Sequence, residues 1–179
     1  MYYYDGHIDD YLHKAMNGVI TSNEFEEWLR SNKELLEHYL GEEEYYILIS
    51  IEFTSENAEN HVQEQARRII NIPTYEHMRI SDMLRELIEQ EEAYVRCCRT
   101  IYEDYCNGFR FFKIIALTSI CYDYDHRLEQ LDNMAGFIKE REFIVQEATE
   151  ILKLLDSREI RIVETYYYLD RRKEGTHER

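Results

Sequence analysis

Apolar residues recur along this chain at helical spacing. Ile8, Tyr11, Leu12, Ala15 and Met16 fall at i, i+3, i+4, i+7 and i+8, one face of a helix over 7–17. Asn17-Gly18 supplies its left-handed stop. Thr21 and Glu24 then have the spacing of a capping box, and Ile20 and Phe25 that of its hydrophobic staple. The helix they open turns Phe25, Trp28 and Leu29 inward. Ser31 with Glu34 repeats the box for a third helix, which carries Leu35, Leu36 and Tyr39 and stops at Gly41.

Residues 42–53 admit two readings. The run from Tyr45 to Ile51 is aromatic and β-branched, which favours a strand. Glu42, Glu43 and Glu44 suit a first helical turn, where the dipole favours carboxylates, and a lone strand has no obvious partner. Helix is the reading taken. Further on, Ala58, Val62, Ala66, Ile69 and Ile70 predict a helix over 55–71, broken at Ile72-Pro73-Thr74. Helices follow over 79–89 and 91–106, the second ended by Asn107-Gly108. Residues 109–121 are apolar nearly all round, the pattern of a central buried helix. A turn over 122–125 leads to one long helix over 126–155, bending near Gly136. Residues 160–163 read as a short strand or a helix end, and residues 170–179 as a frayed tail.

The predicted fold is therefore all-α, a single-domain multi-helix bundle over residues 1–179. It carries at most one short β element, near 45–53 or 160–163, and has a candidate seam at 72–74. One proline and six glycines agree with this, because turn-rich proteins need both and long helices exclude them. The 44% hydrophobic content is that of a globular chain. No apolar run approaches the ~20 residues of a membrane span, and the first residues lack the basic and apolar regions of a secretory signal. Cys97, Cys98, Cys106 and Cys121 show no CxxC spacing and read as reduced core residues. Cytoplasmic localisation follows as the expectation.

Charge narrows the partners. The net charge is −16. Residues 1–72 carry 15 acidic and 5 basic side chains, residues 73–155 carry 16 and 10, and residues 156–179 carry 6 of each. Such a field repels nucleic acid and anionic membrane, so no direct binding to either is expected, and it speeds association with a cationic protein. Solubility alone is the plainer account of the same charge. Self-association into a homodimer is left open.

Motifs for chemistry are sparse. Glu174–His177 is the one Glu-x-x-His, Asp10–His13 and Asp123–His126 share its spacing with aspartate, and HExxH is absent. Cys97 or Cys98 could serve as a nucleophile only with a base that the sequence does not supply, so packing is the preferred role. There is no GxSxG, Walker A or GxGxxG motif. The expectation is a protein that is not an enzyme, with no metal and no cofactor.

What does stand out is the interleaving of aromatic and acidic residues. Of 16 tyrosines, many adjoin carboxylates: in residues 2–5, 42–46, 103–105 and 122–125. Tyrosine is large, rigid and polar at its tip, which suits a binding anchor, although the same residues can equally wall a bundle. Glu42, Glu43, Glu44, Tyr45 and Tyr46 form the densest such patch and are the candidate binding site for a protein partner.

The elements Gly18-Val19-Ile20-Thr21, Glu24-Phe25-Glu26-Glu27-Trp28-Leu29, Gly41 and Leu48-Ile49-Ser50-Ile51-Glu52-Phe53 resemble small uncharacterised bacterial proteins. Some of these look like immunity proteins that accompany secreted toxins. The resemblance covers about a third of the chain, residues 18–53, and brings no catalytic residue with it. It implies an acidic helical inhibitor that neutralises a basic protein partner, a toxin or nuclease. The alternative is a phage or plasmid counter-defence protein, or a DNA mimic, whose carboxylates imitate a phosphate ladder before a nucleic-acid-handling protein.

Overall fold

The computed structural model describes residues 5–123 and 131–172. The fold is all-α apart from one two-stranded sheet, with ten α-helices among the described residues. Contacts gather into two compact units, Met1–Asn71 and Ile72–Arg179. The division falls beside the seam at 72–74.

In the N-terminal unit the helices are α1 (Gly6–Met16), α2 (Ser22–Ser31), α3 (Lys33–Leu40), α4 (Glu42–Ile49) and α5 (Ala58–Ile69). Asp5 opens α1 by accepting the backbone N–H groups of His7 and Ile8 at 3.0 and 3.1 Å. These are two of the four donors that a helix start leaves unpaired. Asn17 closes α1, and Gly18 turns the chain out at φ +66°. The expected capping box is formed: Thr21 N–H donates to Glu24 Oε2 at 2.7 Å, and Glu24 N–H returns to Thr21 Oγ1 at 3.3 Å. α1 packs along α5, and α2 touches α3, α4 and α5. Leu12, Phe25, Leu29, Leu36, Leu48 and Val62 are among the core residues. A fully buried carboxylate, Asp9, accepts the Tyr39 hydroxyl at 2.7 Å and the Asp5 N–H at 2.9 Å.

In the C-terminal unit, α6 (Ile72–Glu89), α7 (Tyr94–Asn107), α8 (Lys113–Asp123), α9 (Leu131–Lys139) and α10 (Arg141–Asp156) precede a hairpin of β1 (Ile160–Glu164) and β2 (Tyr167–Asp170). Pro73 lies in the first turn of α6, where a missing N–H removes no helical hydrogen bond. β1 and β2 pair antiparallel, with Ile160 opposite Asp170 and Ile162 opposite Tyr168. Ile160 and Ile162 share one face of β1 and join a core that includes Leu84, Leu87, Phe109, Phe112 and Leu155. Gly108, at φ +144°, is required by the hairpin. A side chain there would come within 2.6 Å of the Tyr166 carbonyl oxygen.

Charge also enters this core. Arg79 of α6 reaches Asp104 of α7 with both terminal nitrogens, at 3.0 and 3.2 Å, while its Nε donates to Glu76 at 2.9 Å. Both carboxylates are buried. Burial alone would lower the guanidinium, but Asp104 and Glu76 outweigh it and hold Arg79 charged.

The helix taken for residues 42–53 forms as α4 and ends at Ile49, so the short β element left open near 45–53 does not form. Other expectations are corrected. Ser31 belongs to α2, and Asn32 stands at the start of α3 without a side-chain cap bond, so the second capping box does not form. α6 begins at Ile72, seven residues before the predicted start at 79. α8 continues through Tyr122 to Asp123, where a turn was expected, and Arg99 grips Asp123 at 2.6 and 3.2 Å. Residues 124 and 125 of that turn lie outside the described residues. α8 is also not buried all round, since Ile114 and Leu117 are exposed. The long helix over 126–155 is two helices divided at Glu140, its stretch 126–130 lying outside the described residues. Gly136 is not the bend; it sits inside α9, where a Cβ would meet the Tyr122 ring at 2.8 Å. Of the tail, Asp170 ends β2 and pairs with Arg172, and residues 173–179 lie outside the described residues.

The buried triad yields a stability contrast. Asp104→Ala strands part of a buried guanidinium and should lower the unfolding free energy by about 3 kcal/mol. Asp82→Ala removes only an exposed pair with Arg85, and should change it by less than about 0.5 kcal/mol. Urea denaturation of the two variants measures the difference.

Candidate functional site

α4 sorts the five candidate residues onto different faces. Gly41, at φ +89°, swings the chain out of α3, and Glu42, Glu43 and Glu44 fill the first turn of α4. The positive end of the helix dipole favours them there. Tyr45 and Leu48, three residues apart, turn into the core, and the Tyr45 hydroxyl donates to the Leu29 carbonyl at 3.3 Å. Glu44 is drawn aside by Arg68 of α5 at 2.6 Å. That leaves Glu42, Glu43 and Tyr46 pointing outward, with Tyr46 72% exposed.

Tyr46 lies four residues after Glu42 and three after Glu43, so both carboxylates flank one ring. Ile47, four residues after Glu43 and 38% exposed, extends the same face with apolar surface. The sequence reading omitted Ile47, although its spacing from Glu43 was there to be seen. The structure thus brings together three of the five chosen residues and adds one. Tyr45 and Glu44 hold the helix in place.

Several of the other tyrosines and carboxylates among the described residues are absorbed by the fold. Tyr11 stacks on Trp28 with centroids 4.3 Å apart, and Tyr94 stacks on Phe137 at 4.6 Å while donating to its carbonyl at 3.0 Å. Tyr122 donates to Glu140 at 3.1 Å, and Arg110 lies over the Tyr105 ring. Asp104 is committed to Arg79. Tyr2, Tyr3 and Tyr4 lie outside the described residues.

Among the described residues no three His, Cys, Asp or Glu side chains converge as a metal-binding group. Asp10 is paired with Lys14 at 2.6 Å; His126 and the Glu174–His177 pair lie outside the described residues. No helix among the described residues is long and apolar enough to cross a membrane. The cysteines divide two and two. Cys97 and Cys98 are buried, but Cys106 and Cys121 are exposed, against the expectation that all four are core. Burial pushes the Cys98 thiol up to about 12 and raises Cys97 as well, the opposite of an activated nucleophile.

No protein-family model, curated protein or solved structure matches the chain.

The thiol division is directly measurable. At mildly alkaline pH an aromatic disulfide reagent should titrate Cys106 and Cys121 in the native protein and reach Cys97 and Cys98 only after denaturation. Cys98→Ala should cost about 1–2 kcal/mol from lost packing, on the same denaturation assay.

Proposed function

We propose that the chain is an acidic helical inhibitor of the immunity type, which neutralises a basic toxin or nuclease by direct protein binding. The observation that carries this reading is the outer face of α4. Tyr46 stands exposed between Glu42 and Glu43, with Ile47 beside it, while Tyr45 ties the helix to the core. An aromatic ring with a polar tip is the usual centre of a binding hot spot, and apolar surface next to it adds area that can be taken from water. The flanking carboxylates steer a cationic partner, with reinforcement from the surplus of ten negative charges over residues 1–72.

The roles separate kinetically. Steering charge acts on encounter, and buried anchor surface acts on residence. A partner is sought by retaining proteins on the immobilised wild-type chain, then purified for rate measurements. Support requires that it be basic, that it bind one to one, and that its association rate fall steeply with salt, since such fields are screened over ~8 Å at physiological ionic strength. Glu43→Lys should slow association several-fold, and Tyr46→Ala should mainly speed dissociation. Tyr46 is exposed, so its alanine variant should fold as the wild type does. Retention that is unchanged in a Glu42→Lys, Glu43→Lys, Tyr46→Ala triple variant, or an association rate flat in salt, refutes the reading. A counter-defence DNA mimic would depend on the carboxylates and be indifferent to Tyr46→Ala.

A further inference from the structure

Cations are scarce in this chain, with 21 Lys and Arg against 37 Asp and Glu, and most described arginines are spent on carboxylates. Arg68, Arg96, Arg99 and Arg172 each grip one, and Arg79 grips two. Arg158, Arg161 and Arg171 have no carboxylate partner among the described residues, and all three line a single cavity of the C-terminal unit. Its volume is about 660 Å³.

Three elements and two connections build the cavity. The first turns of α6 contribute Pro73, Thr74 and His77, and the end of α10 contributes Leu155 and Asp156. β1 contributes Ile160, Arg161 and Ile162, Arg158 comes from the turn before it, and Arg171 follows β2. Leu155, Ile160 and Ile162 are buried beneath the cavity, Pro73 is exposed on its wall, and the three arginines are exposed at the rim. With His77 neutral, three guanidiniums against the Asp156 carboxylate leave the lining at +2. The first turn of α6, an 18-residue helix, adds the positive end of its dipole.

Arg158 holds its place against a local preference. It follows the C-cap of α10 at φ +61°, a conformation in which glycine is unstrained and a branching side chain is not. Three planar guanidiniums around one cavity suit an anion with several oxygens and more than one charge, which at neutral pH is a phosphate monoester. The volume falls in the range of small-molecule sites and exceeds what an isolated phosphate fills, and Pro73 offers apolar surface to the rest of the molecule. A long polyanion is disfavoured by the −16 field around the chain.

We propose that this cavity binds a small phosphate-bearing organic molecule, its phosphate held by Arg158, Arg161 and Arg171 and the rest of the molecule set against Pro73. This is independent of the α4 face, which belongs to the other unit.

Calorimetry on the full chain at low ionic strength tests it, with inorganic phosphate, adenosine monophosphate, adenosine and a single-stranded oligonucleotide as probes. Phosphate and adenosine monophosphate should saturate one site, the nucleotide about tenfold more tightly or better, and adenosine should not bind. Arg158→Gly removes one guanidinium where glycine fits the backbone. It should weaken both anions about tenfold while leaving the denaturation midpoint no lower than that of the wild type. Arg161→Gln should weaken them similarly, and Arg67→Gln, in the N-terminal unit, should not.

His77 reports on the location. Burial holds its imidazole below the ordinary value, Asp156 pulls it up, and Arg85 and Arg158 push it down, with Arg161 and Arg171 on the same lining. A bound phosphate favours the imidazolium, so the His77 titration followed by nuclear magnetic resonance should move upward on saturation. Absence of saturable phosphate and nucleotide binding overturns the proposal. So does undiminished affinity in Arg158→Gly, an unmoved His77, or an oligonucleotide that binds as tightly as the mononucleotide.

Discussion

In the C-terminal unit a guanidinium lies between two helices. Arg79 spends all its nitrogens on two buried carboxylates, Glu76 from its own helix and Asp104 from α7. A carboxylate taken out of water is tolerated only with its counter-charge at hydrogen-bond distance. Once formed, the triad leaves the α6 and α7 pair little freedom to slide. α6 in turn contacts α10 and β1, so its placement bears on where the hairpin and the end of α10 meet. That meeting place is the arginine-lined cavity. The hairpin depends on α7 in a second way, through Gly108, whose missing side chain leaves room for the Tyr166 carbonyl.

The same arithmetic of charge governs the surface. Carboxylates outnumber cations by sixteen, so a cation left without one marks a place where the chain holds positive charge in reserve. Arg158, Arg161 and Arg171 do so around one cavity. The face of α4 is the complement, since Glu42 and Glu43 keep their charge facing solvent while Glu44 surrenders its own to Arg68. A protein partner drawn by negative charge and a small anion drawn by positive charge ask opposite things of a surface. The α4 face and the arginine-lined cavity lie in separate units of one chain.

Much of the helical architecture could be read directly because its causes are local. The stripe of Ile8, Leu12, Ala15 and Met16, the Thr21–Glu24 box and the Asn17-Gly18 stop depend on residues within a turn or two of one another. Each is formed much as the spacing implied. Errors gathered where local signals were silent or competing. Gly136 read as a bend because glycine weakens helices, but the Tyr122 ring packed against it explains the residue, and the helices part at Glu140 instead. α8 looked buried all round from its composition, yet only Ile115, Ala116 and Ser119 are fully buried, and Ile114 and Leu117 are exposed.

The candidate site divides the same way. Sequence alone determined that residues 42–46 set three carboxylates beside two tyrosines and, through the dipole, favoured a helical turn there, while the aromatic and β-branched run from Tyr45 kept a strand open. Which tyrosine faces out, which glutamate is taken by Arg68, and that Ile47 joins the face were decided by α5 and by the Leu29 carbonyl, groups distant in sequence. The arginine cavity was beyond any local reading. His77 and Arg161 are 84 positions apart, and a neutral stretch over residues 156–179 gave no hint that its cations would gather. Helix spacing is written in neighbours, whereas convergence of charge is written only in the packing that brings distant segments together.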